Sequence, residues 1–132
     1  MSERNIASAI AYYEAMDRKD LSTIEKYLHP EVRLIGPMAD ITGKEVVLNS
    51  IKHFFAVFNK LTVRAEFEAQ NQVMLSYDLD CPPPIGTIRA AVLLTFEKGL
   101  IIRYELFYDA RPFEQKRDQI FAQPTGIENS SL

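Results

Sequence analysis

Residues 85–113 read IGTIRAAVLLTFEKGLIIRYELFYDARPF, and the fold follows from them. Two apolar runs, Ile88–Phe96 and Leu100–Tyr108, flank Glu97-Lys98-Gly99. Both are rich in β-branched and aromatic residues, which suit a pleated, half-buried surface, so the spacing predicts a β-hairpin. The first run is apolar at nearly every position from Ala90 to Leu94, so both its faces need cover. In the second, Ile102, Tyr104, Leu106 and Tyr108 share one face, and Ile101, Arg103, Glu105, Phe107 and Asp109 share the other. A hairpin apolar on both sides needs one layer from the rest of the chain and a second cover elsewhere.

Working outward, two alternating strands precede the hairpin. Leu61, Val63, Ala65, Phe67 and Ala69 are expected to face inward, with Thr62, Arg64, Glu66 and Glu68 between them. Val73, Leu75, Tyr77 and Leu79 then alternate with Met74, Ser76, Asp78 and Asp80 after a turn at Asn71-Gln72. Pro82-Pro83-Pro84 cannot pair in a sheet and reads as a stiff loop. Further upstream, Ile6, Ala9, Ile10, Tyr13 and Met16 recur at helical spacing over residues 3–17, with Tyr12 at the edge of the stripe and Ser2 as cap. Asp20 can cap a short helix, Leu21–Leu28, ended by His29-Pro30. Val32–Ile35 reads as a short strand and Met38–Ile41 as a loop. Thr42-Gly43-Lys44-Glu45 has the form of a capping box, opening a third helix that carries Val47, Ile51, Phe54, Phe55 and Phe58. Pro112 is placed to start a last short helix over 113–122. The order of helices first and antiparallel strands later is an α+β pattern. A strongly curved antiparallel sheet wrapped around three helices is expected, with a pocket where they meet.

The 132 residues suffice for one domain with a core, assigned to 1–122, with 123–132 as a polar tail expected to fray. The net charge of −3 and pI near 5.4 argue against a nucleic-acid backbone binder. No run of 18 apolar residues suggests a membrane helix, and MSERNIASAI lacks the apolar core of a signal peptide. A lone Cys81 excludes an internal disulfide and a cysteine metal cluster, so the cytoplasm is the expected compartment. No metal or other cofactor is expected.

Four stretches, taken in order, resemble the nuclear transport factor 2-like superfamily and, within it, the SnoaL-like proteins. They are Tyr12-Tyr13-Glu14-Ala15-Met16-Asp17 with Asp20-Leu21, then Tyr27-Leu28-His29-Pro30-Glu31-Val32. Gly36-Pro37 with Thr42-Gly43-Lys44-Glu45 follows, and Tyr104-Glu105-Leu106-Phe107-Tyr108-Asp109 comes last. The resemblance implies a cone-shaped fold, a buried pocket and commonly a homodimer. It also implies several activities, since the superfamily holds isomerases, cyclases, epoxide hydrolases, dehydratases and non-catalytic binding domains.

Tyr12 matches the tyrosine that ketosteroid isomerases use to polarise a carbonyl. Their two acids would fall on Gly36 and Val92, so that activity is not expected. The plainer reading of Tyr12 is a core-edge aromatic. The acid set of the epoxide hydrolases would need Leu106 and the face bearing Ala90, Val92 and Leu94, and is absent too. Asp109, after Tyr108 and before Arg111, is a candidate acid/base; a strand-end carboxylate paired with Arg111 is the plainer alternative. Asp40 sits in a loop at the expected pocket mouth and is the other candidate. Asp78 and Asp80, next to Arg64, Glu66 and Glu68, read as cross-strand charge pairs. His29 and His53 lack a nearby acid at metal-ligand spacing.

The expected lining is Tyr12, Met16, Met38, Ile51, Phe54, Phe58, Val92, Leu94, Tyr104, Leu106 and Tyr108. This points to a pocket for a small, mostly apolar organic ligand that is bound rather than transformed. The alternatives are a cyclase, isomerase or dehydratase using Asp109 or Asp40 with Tyr12, and an interaction domain whose pocket is filled by its own side chains. Ala91, Leu93, Thr95, Ile101 and Phe107 form an expected outer apolar patch, and with it a sheet-to-sheet homodimer.

Overall fold

A computed structural model describes residues 2–116, with side chains from residue 4 to residue 114. Helices α1 (Ser2–Arg18) and α2 (Leu21–Glu25) lead into strands β1 (Leu28–Gly36) and β2 (Ala39–Thr42) and helix α3 (Lys44–Phe54). Strands β3 (Lys60–Ala69), β4 (Gln72–Asp80), β5 (Thr87–Glu97) and β6 (Leu100–Phe107) follow, and a 3-10 turn spans Arg111–Lys116. The strands make one sheet in the order β2-β1-β6-β5-β4-β3. Every pairing is antiparallel except β1 with β6, which the long crossover between them makes parallel. Helix α1 packs on β3 and β4, and α3 on β1 and β2, so the molecule is an α+β fold with a curved mixed sheet around its helices.

Three local rules of the sequence yield to the sheet. Leu28 begins β1 rather than ending α2, and Pro30 is tolerated because the β1–β6 ladder is irregular between Leu28 and Arg33. The expected loop at Met38–Ile41 contains β2, which folds back on β1 with Gly36 opposite Ala39. Thr42 ends that strand instead of capping α3. The cap is Gly43, at φ 108, with no side-chain bond. Its N–H goes to the Val32 carbonyl at 2.8 Å, and the positive φ explains the glycine. Asp20 does cap α2, accepting from the Thr23 N–H at 3.2 Å and the Thr23 hydroxyl at 2.7 Å. The expected final helix is a 3-10 turn as far as Lys116; its remainder and the tail lie outside the described residues.

Two bulges correct the inside–outside assignment. In β3 the pairing runs Val63 to Tyr77 and then Ala65 to Ser76, leaving Arg64 as the extra residue. Every later side chain changes face, so Phe67, expected inside, is 68% exposed. Between β5 and β6 the pairing runs Thr95 to Arg103 and then Phe96 to Ile101, skipping Ile102. Ile101, expected in the outer patch, is therefore fully buried. The outer face carries Phe67, Met74 and Leu93 in one row and Ala65, Ser76, Ala91 and Phe107 in the next.

The end of α1 is fastened to the start of β3. The Asp17 carboxylate accepts the Leu61 N–H at 2.8 Å and lies 3.7 Å from Lys60 Nζ. The Lys19 ammonium donates to the Phe58 carbonyl and stands 4.7 Å from the centroid of that ring. Asp17→Ala leaves a half-buried N–H without its charged acceptor, so the unfolding free energy in urea should fall by about 1–3 kcal/mol. An unchanged midpoint would mean that this bond does not hold α1 to the sheet.

Candidate functional site

Helix α1 is buried on more than one stripe. Ala9, Tyr12, Tyr13, Ala15 and Met16 are all at most 2% exposed. Tyr12 and Tyr13 are neighbours in sequence, about 100° apart around the helix, so both are covered only where walls close on two sides. Their rings pack edge to face, with centroids 5.2 Å apart. Tyr12 also meets Tyr104 of β6 at 5.7 Å, and Tyr13 meets Tyr77 of β4 at 5.2 Å. The Tyr13 hydroxyl donates to the Tyr104 hydroxyl at 3.1 Å, tying α1 to the sheet. The Tyr12 hydroxyl is buried without a hydrogen-bond partner. Burial, first of all, pushes the ionisation of Tyr12, Tyr13, Tyr77 and Tyr104 upward, so these phenols stay neutral.

Beside this cluster lies a cavity of about 60 Å³ that opens to solvent. One water needs roughly 10–15 Å³ on this measure, so several waters or a small organic molecule fit. Tyr13 and Met16 line it from α1, and Ser50, Ile51 and Phe54 from α3. The sheet contributes Leu34, Leu61, Tyr77, Leu79, Ile88, Ala90, Tyr104 and Leu106, and Tyr108 and Phe113 complete the wall. The space has a local cause. The β5–β6 ladder ends at the pair Ala91–Phe107, so Ile88 and Ala90 run on past the end of β6. Ala90 is small, and Tyr108 and Phe113, edge to face at 5.6 Å, stand in for the missing strand.

Of the residues predicted to line a pocket, Met16, Ile51, Phe54, Tyr104, Leu106 and Tyr108 are brought together here. Tyr12, Val92 and Leu94 are not; each is fully buried in the packed core. Phe58 stacks on Phe54 at 5.1 Å, outside the lining, and Met38 packs at the margin of the core. Tyr13, Tyr77 and Ser50 were missed. Ser50 falls on the apolar stripe of α3 between Val47 and Ile51, and a hydroxyl in that phase was the available signal.

The two candidate acids lie elsewhere. Asp40 on β2 is exposed and forms a two-point pair with Arg33, at 2.9 and 2.8 Å. Asp109 is exposed, accepts the Arg111 N–H at 3.0 Å and faces the Arg111 guanidinium at 2.7 Å. Hydrogen bonds from Arg111 hold its carboxyl down at about 2. Among the described residues the lining contains no Asp, Glu, His, Lys or Arg. Hydroxyls of this kind orient a polar atom by hydrogen bonding and do not exchange protons near neutral pH. Gly36, where an isomerase would carry a base, has its own reason: an added Cβ would stand 3.3 Å from Leu106 Cβ. Among the described residues no group of three potential ligands could hold a metal ion, and no helix is long and apolar enough to cross a membrane. Cys81 is buried, and burial pushes its thiol up to about 11.

Two measurements check this geometry. Tyr12→Phe removes an unpartnered buried hydroxyl and keeps the ring, so thermal stability should hold or rise, whereas a loss above about 1 kcal/mol would mean that the hydroxyl is bonded. Because the folded-state pKa of Asp109 is depressed, its stabilising pair is intact above the ordinary carboxylate range and is lost as pH falls through about 2. A carboxyl NMR titration should therefore show no Asp109 transition between pH 4 and 8; a transition there would return the residue to the acid/base candidates.

No protein of curated function matches the chain. A crystal structure from Kribbella flavida DSM 17836 superposes with a TM-score of 0.77 at 25% identity, over 84% of this chain and 91% of that one. An NTF2-like protein of unknown function from Cytophaga hutchinsonii gives 0.73 at 26% identity, over 83% and 93%. A steroid delta-isomerase from Pseudomonas aeruginosa shares the fold, with a TM-score of 0.75 at 18% identity over 99% and 95%. The family profile described as SnoaL-like domain matches residues 9–104. With most of its length matched, the chain belongs to the SnoaL-like domain family.

Proposed function

We propose that the protein binds a small, mostly apolar organic molecule in the cavity between α1, α3 and the sheet. The observation that carries this reading is an open, aromatic-walled cavity whose only polar side-chain groups among the described residues are hydroxyls, while both candidate acids are held outside it by arginines. Apolar surface buried against such walls contributes roughly 25 cal/mol per Å². A cyclase, isomerase or dehydratase is the second reading. A steroid delta-isomerase among the proteins of like fold favours it, but Asp40 and Asp109 would have to leave their partners to reach a ligand. A domain whose pocket is filled by its own side chains fits less well with the space that remains. The proposed compartment is the cytoplasm, on the strength of the lone buried cysteine.

We also propose a homodimer through the outer sheet face. Phe67 and Phe107, 68% and 50% exposed, flank Met74, Ala91 and Leu93 there, and a second copy offers the same apolar rows. Sedimentation equilibrium should show twice the 15.1 kDa chain mass, reduced to 15.1 kDa by Phe67→Glu; a monomer at micromolar concentration rejects the dimer.

For the binding reading, native mass spectrometry of protein purified from its own host should show a retained small molecule, released on unfolding and absent from Tyr104→Ala. Retention by a correctly folded Tyr104→Ala would place the ligand elsewhere. Turnover of the retained molecule by the wild type would favour the second reading.

A further inference from the structure

We infer that the ligand is an uncharged molecule with a hydrogen-bond-accepting oxygen at its buried end, and that Tyr104 is the residue that donates to it. This rests on the binding reading above and adds the chemistry of the occupant.

The argument is a count of protons. A phenol has one proton to donate and an oxygen that accepts. Tyr13 gives its proton to Tyr104 at 3.1 Å. Tyr104 is 3% exposed and accepts from Tyr13, and no described group accepts its own proton. Tyr12, with its ring 5.7 Å from that of Tyr104, has no partner for its own hydroxyl. Among the described residues no carboxylate or carbonyl bonds to these hydroxyls, and Tyr77, the remaining phenol of the cluster, adds one more proton to place. A set of buried hydroxyls in an open chain always ends on an O–H without a partner in the protein; water entering the open cavity accepts it, and a ligand that displaces that water must bring an acceptor of its own or lose about 1–3 kcal/mol.

An acceptor oxygen from a ligand resolves the count. The Tyr104 oxygen has two lone pairs: one accepts from Tyr13, which leaves the other for Tyr12, whose ring lies 5.7 Å away. Its own proton then turns to the cavity that it lines. One ligand oxygen would so complete three buried hydroxyls, and hydrogen bonds arranged in a chain reinforce one another. Ser50 adds a further hydroxyl on the α3 side and is the single buried polar residue besides the tyrosines among the described residues.

The same lining selects against charge. A carboxylate ligand would leave water for a site without a cation, and an ammonium would meet an O–H pointing at it. Aromatic rings of Phe54, Tyr108 and Phe113 line the same space, so a cationic probe belongs in the test.

The test is a protein-observed NMR titration with four probes of one ring size: cyclohexanone, methylenecyclohexane, cyclohexanecarboxylate and cyclohexyltrimethylammonium. The ketone should bind about two- to tenfold more tightly than the hydrocarbon of the same shape, with neither ion saturating. That preference should shrink in Tyr104→Phe and vanish in the Tyr13→Phe/Tyr104→Phe double variant, while hydrocarbon affinity is kept. Equal binding of ketone and hydrocarbon, tighter binding of either ion, or a ketone preference that survives the double variant would overturn the inference and leave the binding reading standing. If no probe binds either the wild type or Phe113→Ala, whose truncated side chain enlarges the cavity, the binding reading and the inference fall together.

Discussion

The fold depends on enclosing a helix that is apolar on more than one side. Tyr12 and Tyr13 point about 100° apart from α1, and both are buried. A flat sheet covers one stripe of a helix. Covering two requires the sheet to bend around it. The bulges at Arg64 and Ile102 are the places where strands take up that bend, since an extra residue on one strand sharpens the local twist. The hydrogen bond from Tyr13 to Tyr104 and the bond from the Leu61 N–H to Asp17 then fix the helix along the trough.

The cavity is a consequence of the same geometry. Helix α1 packs on the β3–β4 end of the curved sheet and α3 on the β1–β2 end, and β5 extends beyond β6 between them. Side chains from α1, α3, β1, β3, β4, β5, β6 and the segment after β6 reach that space, and the described charged side chains stay outside it. Asp109 follows the last strand directly, yet it is turned to solvent and held by Arg111. Leu106 fills the place beside Gly36 where a carboxylate would have to stand. Among the described residues, an apolar interior with phenols at its end is what remains.

Much of this was legible in the chain. The order of elements, the late hairpin, the Asp20 cap and the pairing of Asp78 with Arg64 all follow from spacing and local hydrogen-bonding preference. The bulges did not announce themselves. Arg64 looks like any outward residue in an alternating strand, and its insertion sends Phe67 from the core to the surface. β2 was equally silent: four residues of mixed character become a strand only because β1 lies beside them.

The site divides along the same line. Local patterning is short in range, and it determined that aromatic side chains from α1, α3 and the hairpin would be buried together. Which of them border empty space was decided by the packed whole. Tyr12 and Tyr13 carry the same side chain on consecutive residues, and one is sealed in the core while the other edges the cavity, because the ends of β5 and β6 do not coincide. Burial is written in composition and period; a gap is a property of how separate segments meet.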